Sequence, residues 1–237
     1  MSSANRLKES RRLLESLFSP DVVVEASGDD APVEPLHPLE ANFVRDAVPR
    51  RRREFAMGRT CARRALARLG IENRPLLPGH DRAPLWPRGI VGSISHCEGF
   101  CAVAVARRDR THSIGLDVEL RLPLDVRLMQ TICTPAERAA LLRTTAALPE
   151  ADWAAIVFSA KESFFKCLYP FRPRFLDFHD VEIVLEPARG AFRARPGRDI
   201  GLSTALVGAM RGRFALDEAC IFTAVTLAGA ERAKGHP

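Results

Sequence analysis

The chain has 237 residues, with 35 Lys and Arg against 29 Asp and Glu, a net charge of +6 and a pI of about 9.3. Hydrophobic residues make up 46 % and charged residues 27 %, ordinary globular usage that excludes collagen-like, coiled-coil and wholly disordered chains. This length buries a sizeable core without disulfides or structural metal, as one large domain or two small ones. The longest apolar run, Phe100 to Ala106, is far short of the ~20 residues of a membrane span. The N-terminus has no apolar stretch of the secretory kind, and Glu9 and Glu15 interrupt its Ser and Arg, so a soluble, cytosolic protein is expected. Cys61, Cys97, Cys101, Cys133, Cys167 and Cys220 form no CxxC pair, and reduced, mostly buried thiols are expected. The mild positive charge suits an acidic protein or a polyphosphate as readily as a nucleic acid.

Apolar positions at Leu7, Leu13, Leu14, Leu17 and Phe18 predict a short amphipathic helix over 5–18, and Val22 to Val24 a strand within 21–25. Residues 26–38, rich in Pro, Asp and Gly, are expected to form a loop. A helix is expected over 49–69, where Phe55, Gly58, Ala62, Leu66 and Leu69 share a face, Gly70 marks the stop and Pro75 lies beyond. Residues 78–89 read as a second loop. Three strands follow at 91–95, 100–106 and 113–120, with Glu98-Gly99 and Asp109-Arg110 as turn signals. Thr134, Pro135 and Glu137 suit a helix start, and a longer helix over 149–169 stops at Pro170. Strands are expected at 181–185, 191–194, 211–216 and 221–227, and fraying after Ala228. No internal repeat is visible. Helices and strands occur twice over, which predicts two α/β subdomains meeting near Leu120.

Three segments carry chemistry. In Ser113 to Leu120, Ile114, Leu116, Val118 and Leu120 share one strand face, so Gly115, Asp117 and Glu119 share the other. Two carboxylates there can grip a hard cation such as Mg²⁺, with room left beside them at Gly115; a half-exposed strand with solvated charges is the bland alternative. In Phe158 to Lys166, Lys161 and Glu162 interrupt helical rows that are otherwise apolar, a costly placement unless paired or ion-bound. A surface Glu162–Lys166 pair is the alternative there. Third, the strand from Val91 ends in Ser95 and His96, which suit an anion or a structural histidine. Upstream, Arg50 to Arg53 precede Arg59, Arg63 and Arg64 on one helix, either guanidinium forks for phosphate or a solvated basic face. P-loop, dinucleotide-binding and zincin motifs are absent.

Together and in this order, GSISHC, IGLDVE and FSAKESFFK resemble the 4′-phosphopantetheinyl transferases, of the large pseudodimeric kind and the enterobactin-synthase-like branch. The resemblance runs from RRREFAMGRTCARRAL through GHDRAPLWPRGIVGSISHC to FSAKESFFKCLYP and fades after Leu176. It implies an α/β (α+β) fold of two similar subdomains forming a pseudodimer, 1–116 on the adenosine and 3′-phosphate side and 117–237 bearing metal and catalytic helix, with the active site between them. The implied reaction moves the phosphopantetheine arm of coenzyme A to a serine of an apo acyl, aryl or peptidyl carrier, leaving adenosine 3′,5′-bisphosphate. Carried over by motif, Asp117, Glu119 and Glu162 surround Mg²⁺, Glu162 is the base, and Lys161 and Lys166 face the diphosphate. Glu162, Lys166, Asp117 and His96 then carry the catalysis, Ser95 and His96 hold the phosphate end, and Arg51 and Arg59 meet the 3′-phosphate. Gly79, His80, Asp81 and Arg82 border the adenosine, and Leu176 touches the ligand by a looser alignment. A monomer serving siderophore, nonribosomal peptide or polyketide carriers is implied, with no nucleic acid and no membrane span.

Two other classes stay open. A basic polyanion-binding or nucleic-acid-binding module leaves Asp117 and Glu119 repelling phosphate unless a metal intervenes, and one Tyr and two Trp make a poor stacking platform. An inactive carrier-binding relative does not account for three carboxylates and both lysines.

Overall fold

The computed structural model describes residues 3–72, 74–145, 153–174 and 176–229. Helix α1 (Ser3–Ser16) and strand β1 (Val23–Gly28) come first, followed by the single-turn α2 (Pro38–Ala41) and the long α3 (Pro49–Arg68). Strands β2 (Ile90–Cys97), β3 (Phe100–Arg107) and β4 (Thr111–Leu120) precede helices α4 (Val126–Ile132), α5 (Pro135–Thr145) and α6 (Trp153–Leu168). Strands β5 (Val181–Glu186) and β6 (Ala191–Pro196), helix α7 (Thr204–Ala209) and strands β7 (Arg211–Leu216) and β8 (Cys220–Ala228) complete the order. Residues 149–152, expected to open α6, and the tail from 230 lie outside the described residues.

Most elements stand where periodicity predicts them. Strand β1 runs three residues into the expected loop because it pairs with β3 from Val23↔Val105 to Gly28↔Phe100. Thr134 and Glu137 form a reciprocal cap: Thr134 Oγ1 accepts from the Glu137 amide and Glu137 Oε2 from the Thr134 amide. Helices α4 and α7 were not expected, although Asp125 and Ser203 cap their first turns through Arg127 N and Leu206 N.

The strands form two antiparallel sheets, ordered β1-β3-β2 and β4-β8-β7-β6-β5. Asp109-Arg110 therefore does not close a hairpin. Both edges of β3 are already taken by β1 and β2, so β4 leaves that sheet and pairs with β8 instead. A division after residue 116 falls inside β4; the sheets part between Arg107 and Thr111. Hydroxyls join the two sheets where β2 runs beside β4: Ser93 Oγ accepts from Leu116 N at 3.0 Å and Ser95 Oγ from Val118 N at 3.2 Å. These side chains satisfy amides that an open strand edge would otherwise expose.

Helix α3 covers the first sheet with Met57, Cys61, Ala62 and Leu66 against Val103 and Val105. Leu14, Leu17, Ala102 and Ala104 pack with Ile114, Leu116, Val118 and Phe222 between the halves. Helix α6 covers the second sheet, setting Ile156, Ala160 and Phe164 among Ile183, Ile221 and Val225. It lies on β4 at backbone distance, because a Cβ on Gly115 would stand 1.7 Å from Ser163 O. The space beside Gly115 is therefore filled by α6 and is not open to a ligand. Ser113 Oγ donates to Cys167 O at 2.6 Å, and Ser159 Oγ to Asp117 Oδ2 at 2.8 Å. Each step of two along β4 thus meets a step of four back along α6. All six cysteines are free thiols, five of them buried.

Candidate active site

The strand–helix match delivers Asp117 to the junction of the two sheets. The residue is 2 % exposed. Its Oδ1 accepts from Lys166 Nζ at 2.6 Å and Ser95 Oγ at 2.9 Å, while Oδ2 accepts from Ser159. Lys166 also reaches Ser95 Oγ and Leu116 O, so it pairs with Asp117 rather than with Glu162. Glu119 and Glu162 lie within electrostatic reach. Burial first, then Asp117 and Glu162, push the Glu119 carboxyl up to about 7 against the pull of Lys166. Burial and Asp117 raise Glu162 likewise, with Lys166 again opposing.

The three carboxylates are a donor set that fits a small hard cation, since Mg²⁺ takes one or two carboxylates and fills its shell with water and phosphate oxygens. They do not form a finished cage. Among the described residues no three His, Cys, Asp or Glu side chains stand together as a ready metal set.

Three of the expected site residues are packed in the interior. Lys161 is 0 % exposed and its ammonium is spent on Glu137 Oε2 at 2.8 Å, Ile132 O at 2.8 Å and Phe178 O at 2.6 Å. It ties α6 to α5. Leu176, 5 % exposed, belongs to the core under α6. The Ser95 hydroxyl is buried between Val118 N, Asp117 and Lys166, where it organises the carboxylate.

His96, next along β2, meets Arg51 of α3 at 3.0 Å from Nη1 to Nε2. Arginine only donates, so Nε2 accepts and the imidazole proton sits on Nδ1. Arg51 also reaches Glu54. Arg59 is buried, with Nε donating to Leu76 O at 2.8 Å and the guanidinium 3.9 Å above the Phe55 ring. Burial draws its pKa down to about 10, with Glu40 opposing and the Arg51 charge adding to the fall. Arg51 and Arg59 therefore feel each other, and Arg59 also fastens the foot of the 78–89 loop. That loop turns tightly, Arg82 N donating to Gly79 O and Ala83 N to Asp81 Oδ1, with His80, Asp81 and Arg82 exposed. Arg82 has φ 70, a left-handed conformation that costs a side-chain-bearing residue about 1–3 kcal/mol and clusters at binding sites. A cavity of about 220 Å³ also opens beside His96, against Arg50, Glu54 and Met57, a different face of α3 from Arg51 and Arg59.

Ser159 and Thr223 have no role expected from the sequence, and Glu137 only that of a helix start, not of counter-charge to Lys161. Ser159, Ser163 and Cys167 did carry a signal, because small residues four apart on an apolar helix mark a face of close approach; Thr223 carried none.

The order of these parts along the chain decides the family. Residues 39–106 match the model of the 4′-phosphopantetheinyl transferase N-terminal domain, and residues 113–208 that of the 4′-phosphopantetheinyl transferase superfamily. The chain is 42 % identical to the 4′-phosphopantetheinyl transferase Svp of Streptomyces mobaraensis, over 91 % of this chain and 89 % of that one. It belongs to the 4′-phosphopantetheinyl transferases. A second relative, the 4′-phosphopantetheinyl transferase PptT of Mycobacterium tuberculosis, is 36 % identical over 90 % of this chain and 94 % of its own. Enterobactin synthase component D of Salmonella typhimurium is 38 % identical over 52 % of this chain and 50 % of its own. Both matched models divide the transferase between β3 and β4, where the sheets part.

Proposed function

We propose that this transferase moves the 4′-phosphopantetheine arm of coenzyme A onto a serine hydroxyl of an apo carrier domain, releasing adenosine 3′,5′-bisphosphate. The observation that carries the reading is the Asp117–Lys166 pair at the sheet junction, with Glu119 and Glu162 in reach of its charge. The serine oxygen bonds to the phosphorus that bears pantetheine, and the bond from that phosphorus to the bridging oxygen breaks. Glu162, half-buried and raised in pKa, takes the serine proton. Lys166, 31 % exposed, turns its ammonium to the diphosphate. Asp117 and Glu119, with Glu162, hold Mg²⁺, which when bound neutralises charge building on the diphosphate. Arg51 and His96 hold the 3′-phosphate side, backed by Arg59, while Gly79 to Arg82 borders the adenosine.

The carriers are acyl, aryl or peptidyl domains of siderophore, nonribosomal peptide or polyketide assembly, a reading that the likeness to enterobactin synthase component D supports. The net charge of +6 favours encounter with an acidic carrier. The enzyme works as a cytoplasmic monomer and binds no nucleic acid. No helix of the described residues is long and apolar enough to cross a membrane.

The test offers coenzyme A and a panel of apo carriers, with mass spectrometry detecting the added arm. Transfer that EDTA abolishes and Mg²⁺ restores is expected. Undiminished transfer in metal-free buffer overturns the metal assignment, and modification of no carrier overturns the reaction.

A further inference from the structure

The geometry points to Ser159 and Thr223 as positioning residues that fix the Asp117 carboxylate for its cation, an inference that rests on the metal reading above. Three elements converge to make the arrangement. The β4–β8 register sets Thr223 directly opposite Asp117, and α6 lowers Ser159 onto the same point. Ser159 and Thr223 are both 0 % exposed, so no water competes.

Counting protons orients the chain of hydroxyls. Asp117 as a carboxylate only accepts, so the single Ser159 hydroxyl proton goes to Oδ2, at 2.8 Å. Ser159 Oγ is then left as an acceptor, 2.9 Å from Thr223 Oγ1. The single Thr223 proton goes to Ser159 O, 2.8 Å away. Thr223 thus fixes Ser159 by its carbonyl and packs its oxygen against the Ser159 hydroxyl, which donates to Asp117. Lys166 and Ser95 hold Oδ1 from the other side, so the carboxylate plane is clamped at both oxygens. Lys166 is half-exposed and can be drawn off by a diphosphate, whereas the buried hydroxyls stay in place. The hydroxyl side therefore keeps Asp117 aimed while the cation and substrate arrive.

The probe is Mn²⁺, followed by electron paramagnetic resonance on the full chain with coenzyme A present. Ser159→Ala should weaken Mn²⁺ binding about 10-fold, the scale seen when partners of metal ligands are removed. The Mg²⁺ concentration for half-maximal turnover should rise by a similar factor, with kcat at saturating Mg²⁺ nearly restored. Thr223→Val should weaken binding by a smaller factor, and Thr223→Ser, which keeps the hydroxyl, should behave as wild type. If Ser159→Ala and Thr223→Val lower Tm but leave Mn²⁺ affinity unchanged, the pair is structural packing and the inference falls alone. If the wild type binds no Mn²⁺, the metal reading falls and takes the inference with it.

Discussion

Lys161 and Lys166 are five residues apart on one helix, yet they serve opposite ends of the molecule's chemistry. Lys161 is sealed, with three acceptors for three protons and Glu137 as counter-charge. Lys166 also has three acceptors, Asp117 Oδ1, Ser95 Oγ and Leu116 O, but its side chain is 31 % exposed at the sheet junction. Lys161 interrupts an apolar row and Lys166 follows Glu162 by one turn, and the family resemblance turns both towards the diphosphate. What separates them is the company brought by distant segments: α4, α5 and the turn at Phe178 for one, β2 and β4 for the other. With three acceptors at each ammonium, exposure is the difference: a sealed charge holds the fold, while one whose side chain meets solvent can act on a substrate.

The comparison breaks most sharply at Lys161. Lys161→Met strands the Glu137 carboxylate, and removing one partner of a buried pair costs about 3–5 kcal/mol, so Tm should fall by about 10 °C or more. Adding Glu137→Gln, which keeps the acceptor for Ile183 N and removes the stranded charge, should recover part of the loss. A Lys161→Met protein as stable as wild type but inactive would return that lysine to the substrate. Lys166→Met should do the reverse, lowering kcat about 10²- to 10³-fold in a carrier-loading assay while losing less than half as much Tm. Equal losses of Tm in the two variants would erase the distinction.

Glu162→Gln keeps the size of the side chain and removes its basicity, so kcat should drop about 100-fold with little change in coenzyme A affinity by calorimetry. An unchanged kcat would require another base. Arg51→Ala should shrink the preference for coenzyme A over dephospho-coenzyme A from about 10-fold or more to near parity, each charged hydrogen bond being worth about 1.5–3 kcal/mol before solvent screening. If kcat/KM ratios show equal discrimination in variant and wild type, Arg51 belongs to the solvated surface. Arg59→Ala should instead show itself first in Tm, because its Nε holds Leu76 O.

The smallest effect expected is in pH. The folded Glu119 carboxyl, at about 7, sits above its unfolded value of 4.5, so its contribution to stability is complete below about 4.5 and is lost as pH rises through 7. In metal-free buffer the Tm of wild type should decline between about pH 5 and 8 relative to Glu119→Gln. Parallel Tm curves for the two proteins would place Glu119 in open solvent.

Much of this was legible from residues alone, for stated physical reasons. Alternation on a strand put Asp117 and Glu119 on one face, and the 3.6-residue period put α3 and α6 within a few residues of their bounds. Gly115 is the instructive failure: a missing side chain marks close approach, but nothing local says whether a ligand or a helix approaches. The burial of Lys161 and Leu176 is hidden for a related reason, since their partners come from segments far along the chain. The passage of β4 to the second sheet depends on β1 having taken the free edge of β3, a competition no local pattern records. Asp125 and Ser203 were readable caps, but the helices they start, at seven and six residues, are too short for periodicity to register.

The ladder between β4 and α6 has one more consequence, which is metrical. Two strand residues advance about 6.7 Å and four helix residues about 6.0 Å, so successive rungs slip by about 0.7 Å, like the two scales of a vernier. Ser113 with Cys167, Gly115 with Ser163 and Asp117 with Ser159 fall within the span where the scales still coincide. One rung further on, the accumulated slip is about 2 Å, and Glu119 stands past the coincidence. The mismatch of two repeat lengths thus ends the ladder at the carboxylate that Ser159 holds, one rung short of Glu119.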